Sequence, residues 1–261
     1  MLLALDVGNT NLKIGVYDRG RLLAAWRLLS RRDQTADEYG LFIESLLRTR
    51  GLEAQAITGV AIANVVPQVQ STFELVAEQY FGHPAFNVTA ETAGVPLEVD
   101  QPAEVGADRI VTVAGALARH AAPLIVIDLG TATKFNCVSA RGAFVGGAIA
   151  PGIRTAADAL LSRAARLFNV ELVRPKEAVA RNTVTNIQSG FVYGFAALVD
   201  GMVARIRAEM GGDPVVVATG GLAPLIADVT PSIQHVHEHL TLEGLRVVWD
   251  RLHPAPDERL D

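Results

Sequence analysis

The sequence predicts an α/β protein with mixed sheets, built from two similar subdomains. Apolar strands alternate with amphipathic helices after an opening hairpin, which is typical of a mixed sheet covered by helices. The segments Leu2–Lys13 and Leu124–Lys134 share one sequence pattern, because each is an apolar run that leads to Asp-x-Gly and a polar turn. This duplication indicates two subdomains, expected at residues 1–118 and 119–261, each offering a polar turn to a shared interlobe cleft.

The first polar turn runs from Asp6 to Lys13 at the end of an apolar strand. Gly8 lets backbone N–H groups approach a ligand closely and Lys13 adds a cation, so the turn suits a polyphosphate. Asp6 could then hold Mg²⁺, which phosphoryl-transfer sites bind through carboxylates, phosphates and water. The same residue types also make an ordinary hairpin, and the turn matches neither G-x-x-x-x-G-K-[ST] nor G-x-G-x-x-G.

The remaining elements of the first half follow in order. A hairpin is expected to turn at Arg19–Gly20, and Thr35 with Glu38 makes a capping box ahead of a helix. The pattern then predicts a strand over Ile57–Val66, a helix with an apolar face from Val69 to Tyr80, and a short strand over Phe86–Thr89.

The segment Gly106–Arg109 reads Gly-Ala-Asp-Arg and lies directly before a predicted helix. Asp108 is therefore expected at a helix start. One interpretation is structural, because Asp is a preferred N-cap residue and Gly106 can simply shape the turn. The other is that the carboxylate of Asp108 acts on a ligand.

The second half repeats the opening hairpin, with a turn expected at Arg141–Gly142. The predicted elements that follow are a Gly-rich strand and turn over Val145–Ile153, a helix over Arg154–Leu167, a long helix over Ile187–Met210, a strand from Pro214 that ends at Gly220–Gly221, and a final helix to Leu252. The tail from Pro254 to Asp261 is rich in proline and charge and is expected to be loose.

Composition limits the class of protein. The chain has 23 basic and 28 acidic residues, so nucleic acid is not an expected partner. No apolar run reaches the roughly 18–20 residues that span a membrane, and the start has no signal-peptide pattern. A single cysteine, Cys137, fits a reducing cytoplasm and is expected to pack as a small hydrophobic side chain. We expect a soluble cytoplasmic protein.

Three histidines alternate at His235, His237 and His239, which on a strand would place them on one face. Such a trio could bind zinc or nickel. A solvated approach to the last helix is the commoner structure, and no neighbouring cysteine supports a metal site.

Five motifs taken together resemble type III pantothenate kinases: Asp6–Lys13, Gly106–Arg109, Asp128–Thr133, Gly146–Gly152 and Thr219–Gly221. Their order and spacing cover nearly the whole chain. The resemblance implies two ribonuclease H-like subdomains with the actin-like ATPase fold of the acetate and sugar kinase, heat-shock chaperone and actin superfamily. It also implies ATP-dependent phosphorylation of pantothenate to 4'-phosphopantothenate, the first step of coenzyme A biosynthesis, by a homodimer.

The resemblance also implies a role for individual residues. The residues expected to bind ATP are Asp6, Val7, Gly8, Asn9, Thr10, Asn11, Leu12, Lys13 and Thr131. Those expected to bind pantothenate are Gly106, Ala107, Asp108, Arg109 and Thr183, with Asp108 as the catalytic base. Asp128 is expected to help bind a monovalent cation, K⁺ or NH₄⁺, and ATP is expected with Mg²⁺.

The sequence departs from the family pattern where Thr-Thr-Phe-Asp is usual. Here the segment reads Thr133-Lys134-Phe135-Asn136, and Val99 stands where an aromatic residue often precedes Gly-Ala-Asp-Arg. The ammonium of Lys134 could take the place of the monovalent cation. Alternatively, Lys134 faces solvent or forms an ordinary ion pair. An accessory regulator of transcription without kinase activity is the alternative function.

Overall fold

The computed structural model describes residues 1–163 and 170–254. The chain divides into two compact units. The first comprises Met1–Val95, Gln101–Ala118 and the described residues from Thr241 onward, and the second comprises Pro96–Asp100 and Arg119–Leu240. A single division after residue 118 would have assigned the last helix to the second subdomain, whereas that helix groups with the first unit.

The first unit contains a five-stranded mixed sheet in the order β3-β2-β1-β4-β5. Its strands are β1 (Leu2–Val7), β2 (Asn11–Asp18), β3 (Arg21–Leu29), β4 (Gly59–Asn64) and β5 (Ala85–Asn87). β1, β2 and β3 form an antiparallel meander, and β4 and β5 run parallel to β1. The predicted turn between β2 and β3 is confirmed, because Arg19 and Gly20 both have positive φ, at 47° and 79°.

The second unit contains a sheet of the same topology, in the order β8-β7-β6-β9-β10. Its strands are β6 (Leu124–Leu129), β7 (Ala132–Val138), β8 (Phe144–Pro151), β9 (Val215–Thr219) and β10 (His235–Val236). β6, β7 and β8 are antiparallel neighbours, and β9 and β10 run parallel to β6. The matching strand order confirms the predicted α/β architecture with two mixed sheets.

Seven α-helices lie in the described part of the chain. They are α1 (Ala36–Arg48), α2 (Gln70–Phe81), α3 (Ala107–Leu117), α4 (Ile153–Arg163), α5 (Thr183–Met210), α6 (Ala223–Ala227) and α7 (Leu240–Leu252), and short 3-10 turns lie at Ala54–Ala56, Pro67–Val69 and Pro102–Glu104. The predicted extension of α4 to Leu167 and the predicted loose tail after Pro254 lie outside the described residues.

The helix starts follow local capping chemistry. The predicted capping box of α1 is confirmed, because the Thr35 hydroxyl accepts the Glu38 N–H at 3.2 Å and the Glu38 carboxylate accepts the Thr35 N–H at 2.7 Å. α5 begins four residues before its apolar pattern, since the Asn182 side chain caps it by accepting the Thr185 N–H at 2.9 Å. Apolar periodicity alone does not mark such a polar first turn.

α5 spans 28 residues and is, by length and composition, apolar enough to cross a membrane. In the structure, Val199, Val203 and Ile206 are buried in one apolar cluster with residues of the second sheet. Cys137 on β7 joins the same cluster, as expected for a small hydrophobic side chain. This packing is that of a core helix.

α3 and α7 pack closely in the first unit, which explains why the last helix belongs there. A Cβ on Gly244 of α7 would overlap the carbonyl oxygen of Val111 on α3. Nearby, the hydroxyls of Thr112 and Thr241 lie 2.9 Å apart in a buried hydrogen bond. Only glycine permits this approach of the two backbones.

We predict that Gly244→Ala lowers stability by about 1–3 kcal/mol, because the added methyl must push α7 away from α3. Gly201→Ala is the matched control, since Gly201 lies within α5 with no atom near the position of an added Cβ. The control is expected to be neutral or to gain up to about 1 kcal/mol from helix propensity. Thermal and urea unfolding of both variants would measure this, and equal stability of the two would contradict the proposed close packing.

Candidate functional site

The polar turn of the first unit contains a partly buried ion pair. Asp6 lies near the end of β1, directly opposite Lys13 on β2, and the Lys13 Nζ donates to Asp6 Oδ2 at 2.8 Å. Asp6 is only 5% exposed, and a buried carboxylate requires such a partner. The pair fixes a carboxylate and an ammonium at the start of the turn.

The residues between this pair divide into exposed and buried positions. Asn9 and Thr10 are exposed, and the Gly8 N–H donates to the Asn11 carbonyl at 3.0 Å, which closes the turn. Val7 and Leu12 are fully buried in the apolar core of the unit. Of the segment expected to bind ATP, these two residues can therefore offer only backbone atoms, because their side chains face the core.

Arg32 is a cation at this turn that the sequence analysis missed. Its Nη2 donates to Asn9 Oδ1 at 3.4 Å, and the Ser30 N–H donates to the Thr10 carbonyl at 2.9 Å. The chain after β3 thus passes beside the turn. The available signal was the adjacent pair Arg31–Arg32 in a polar loop that follows the predicted third strand.

The Gly106–Arg109 motif forms the start of α3. Gly106, and not Asp108, is the N-cap residue, so the interpretation of Asp108 as the cap is wrong. Asp108 Oδ1 accepts the Arg109 N–H at 2.9 Å and would lie 2.8 Å from a Cβ on Gly106. The carboxylate thus folds back over a glycine at the positive end of the helix dipole.

The turn of the second unit repeats the ion pair of the first. Asp128 on β6 lies opposite Lys134 on β7, and Lys134 Nζ is 3.5 Å from Asp128 Oδ2. The two side chains are only 20% and 13% exposed for lysine and aspartate. Lys134 therefore does not face solvent but forms an ion pair, as the second alternative expected, and its partner is the carboxylate that was expected to hold a monovalent cation.

The backbone around Thr131 is held by two glycines. The Thr131 carbonyl accepts the Gly152 N–H at 3.1 Å and the Thr155 hydroxyl at 2.7 Å. A Cβ on Gly152 would overlap the carbonyl oxygens of Gly130 and Thr131, and a Cβ on Gly220 would overlap the backbone of Leu129. These close contacts explain why glycine stands at positions 152 and 220.

The predicted site residues are divided between the two units. Asp6–Lys13 and Gly106–Arg109 belong to the first unit, and Asp128, Thr131 and Thr183 belong to the second. Thr183 is exposed and is the first residue of α5.

The histidines group differently from the predicted trio. His120 joins His235 and His237: its Nε2 lies 2.8 Å from that of His237, and its ring stacks on His235 with centroids 4.5 Å apart. Burial, followed by the charges of His235 and Arg119, lowers the pKa of His120. Over residues 1–163 and 170–254, no group of three His, Cys, Asp or Glu residues is suited to a metal ion.

Comparisons with known proteins identify the family to which this sequence is similar. A family model described as type III pantothenate kinase matches residues 2–205. The type III pantothenate kinase of Myxococcus xanthus (strain DK1622) is 46% identical over 256 residues, which cover 98% of this chain and 100% of that protein.

Two solved structures show the fold. A conserved candidate transcriptional activator of the Baf family from Campylobacter jejuni has a TM-score of 0.61 at 19% identity, over 97% of this chain and 100% of that one. The inorganic polyphosphate/ATP-glucomannokinase from Arthrobacter sp. strain KM has a TM-score of 0.52 at 16% identity, over 97% and 98%. The predicted actin-like ATPase fold is confirmed. Together, the family model and the curated relative establish that this chain belongs to the type III pantothenate kinase family.

Proposed function

We propose that this protein transfers the γ-phosphoryl group of ATP to the primary hydroxyl of pantothenate, the first step of coenzyme A biosynthesis. The observation that carries the proposal is the combination, in one unit, of the partly buried Asp6–Lys13 pair at a glycine turn and the Asp108 carboxylate at the start of α3. Phosphoryl transfer depends mainly on positioning and on neutralising phosphate charge, and both features suit it.

Asp108 is the proposed catalytic base. A primary alcohol loses its proton as it attacks the γ-phosphorus, and a carboxylate within hydrogen-bond reach can accept that proton. The bond from the Arg109 N–H to Asp108 Oδ1 sets the direction of the carboxylate. Gly106, which has no side chain to crowd the carboxylate, keeps that position open.

The turn Asp6–Lys13 is the proposed binding segment for the ATP phosphates, with Thr131 adding a contact. The exposed Asn9 and Thr10 offer donors, and Lys13 offers a cation. The carboxylate of Asp6 and the hydroxyl of Thr10 are oxygen donors of the kind that Mg²⁺ prefers, so these residues fit the ion. Mg²⁺ bound there would neutralise charge on the phosphates.

The proposed pantothenate contacts are Gly106, Ala107, Arg109 and Thr183. Arg109 is assigned to the substrate carboxylate because its planar guanidinium can make two parallel hydrogen bonds to it. The exposed hydroxyl of Thr183 is assigned to a polar group of the same substrate.

Lys134 places an ammonium 3.5 Å from Oδ2 of Asp128, the carboxylate assigned to a monovalent cation. We therefore assign the role of the cation to Lys134. A compact ammonium with three donors supplies the same single positive charge as K⁺ or NH₄⁺.

A transcription regulator without kinase activity is not favoured, since the chain is 46% identical to a type III pantothenate kinase over 98% of its length. A homodimer and a cytoplasmic location are part of the proposal. The single cysteine supports the location, because it fits a reducing compartment.

We expect Asp108→Asn to abolish pantothenate phosphorylation while the protein stays folded, because the amide keeps the shape of the side chain but cannot accept the proton. Coupled detection of ADP release with purified protein would measure this, alongside thermal unfolding. Asp158→Asn, at an exposed position of α4, is the matched control and should keep full activity. Turnover of the Asp108 variant within about threefold of wild type would exclude a base role.

Asp6→Ala and Lys13→Ala are expected to weaken binding of ATP with Mg²⁺ by about tenfold or more while pantothenate binding changes little, because the first removes the carboxylate assigned to Mg²⁺ and the second removes a cation at the phosphates. Calorimetric titration with ATP and with pantothenate would separate the two effects. Lys176→Ala removes an exposed lysine elsewhere and serves as the control. Normal ATP affinity in both turn variants would move the nucleotide site to another part of the chain.

Wild-type activity is expected to depend little on K⁺, whereas Lys134→Thr should create a requirement for it, because the substitution removes the ammonium beside Asp128. Rates in sodium and potassium buffers of equal ionic strength would test this. Strong activation of the wild type by K⁺ would end the assignment of Lys134.

A further inference from the structure

A small polar cavity of about 250 Å³ lies within the first unit, beside the start of α3. Its lining includes Asn64, Gln70, Asn87, Val105 and Ala107. Ligands of α/β sheets commonly bind at the carboxyl ends of parallel strands. Asn64 and Asn87 occupy those ends in β4 and β5, which run parallel to the strand that carries Asp6.

The amide side chains of this cavity form one connected chain of hydrogen bonds. Asn64 Nδ2 donates to Gln70 Oε1 at 2.6 Å, and Gln70 Nε2 donates to Glu74 Oε1 at 2.8 Å. Asn87 Nδ2 donates to the same Glu74 oxygen at 2.7 Å. An ionised carboxylate can only accept, so Glu74 determines which end of each amide faces it.

The orientation that Glu74 imposes leaves the Asn87 carbonyl oxygen without a donor. This oxygen is buried and makes no hydrogen bond to any residue that the structure describes. A buried acceptor in that state is unfavourable unless a water or a ligand supplies an N–H or O–H group. Asn64 differs, because its carbonyl already accepts the Val66 N–H at 2.7 Å.

We propose that Asn87 is a specificity-determining residue, whose carbonyl oxygen accepts a hydrogen bond from the middle of pantothenate, and that Glu74 is the residue that positions it. This inference rests on the proposed function, in which Asp108 takes the primary hydroxyl and Arg109 takes the carboxylate. The donors that remain on the substrate are its amide N–H and its secondary hydroxyl. Val105 and Ala107 connect the cavity to the proposed pantothenate motif, since they flank Gly106 in sequence.

The expected consequence is that the site discriminates between pantothenate and analogues that lack the bonded group. A site built to bond an N–H or O–H group rejects analogues that lack it far more strongly than an apolar pocket rejects a missing methylene, because the polar group is left unpaired. The orientation of Asn87 also matters, since a reversed amide would present N–H groups to a donor.

The first arm of the test uses steady-state kinetics of purified Asn87→Ala, Glu74→Gln and Gln68→Ala. Asn87→Ala is expected to raise the KM for pantothenate by about tenfold with kcat and the KM for ATP nearly unchanged, as for a contact made equally in the ground and transition states. Glu74→Gln should raise the KM for pantothenate less than Asn87→Ala does, because an amide at position 74 lets the Asn87 amide take either orientation. Gln68→Ala removes an exposed amide outside the cavity lining and should match wild type.

The second arm uses two pantothenate analogues and measures binding by calorimetry. One carries an ester in place of the amide, and the other lacks the secondary hydroxyl. The analogue that lacks the bonded donor should bind wild type about tenfold or more weakly than pantothenate, and this penalty should largely vanish in Asn87→Ala. Glu74→Gln should also reduce the penalty, which a purely structural role would leave intact.

The possible results distinguish a failure of the proposed function from a failure of the proposed role of Asn87. If wild type fails to phosphorylate pantothenate, the proposed function itself fails. If wild type is active but Asn87→Ala keeps its KM, or if both analogues show the same penalty in wild type and in folded Asn87→Ala, the role of Asn87 is overturned and the proposed function stands. Should Asn87→Ala not fold, an unchanged analogue penalty in Glu74→Gln would overturn it.

Discussion

A carboxylate buried at the end of the central strand, paired with a lysine on the antiparallel neighbour, is the interaction on which each unit depends. Asp6 pairs with Lys13 and Asp128 pairs with Lys134 at equivalent places in the two sheets. Burying a carboxylate alone is costly, and the lysine offsets that cost only when it is held in place. Each sheet must therefore keep the register that brings the two charges together.

This requirement explains the order of the strands. The central strand has an antiparallel hairpin partner on one side, which supplies the lysine, and a parallel strand on the other, whose carboxyl end lies at the same edge as the aspartate. A slip of one residue in the hairpin would turn every side chain of that strand to the other face. Such a slip in β2 or β7 would turn Lys13 or Lys134 away from its aspartate.

Close contacts at glycine residues position the other parts of the candidate site. Gly152 and Gly220 pack against the turn at Leu129–Thr131, and Gly106 leaves room for the Asp108 carboxylate. A side chain at Gly152 or Gly220 would push against the backbone of this turn, and one at Gly106 would displace the Asp108 carboxylate. The site is thus held by regular strands and close glycine contacts, which suits chemistry that relies on alignment and charge.

The sequence by itself determined the α/β class, the duplication, the hairpin turns and the capping box, because strand periodicity and caps arise from residues that are close along the chain. The motifs also identified the family. Only the tertiary structure decided which side chains meet: Lys134 lies at Asp128, Glu74 orients Asn87, and the last helix packs on α3 through Gly244. It also decided that Val7 and Leu12 face the core. These outcomes depend on strand register and on contacts between residues far apart in sequence, which no local pattern encodes.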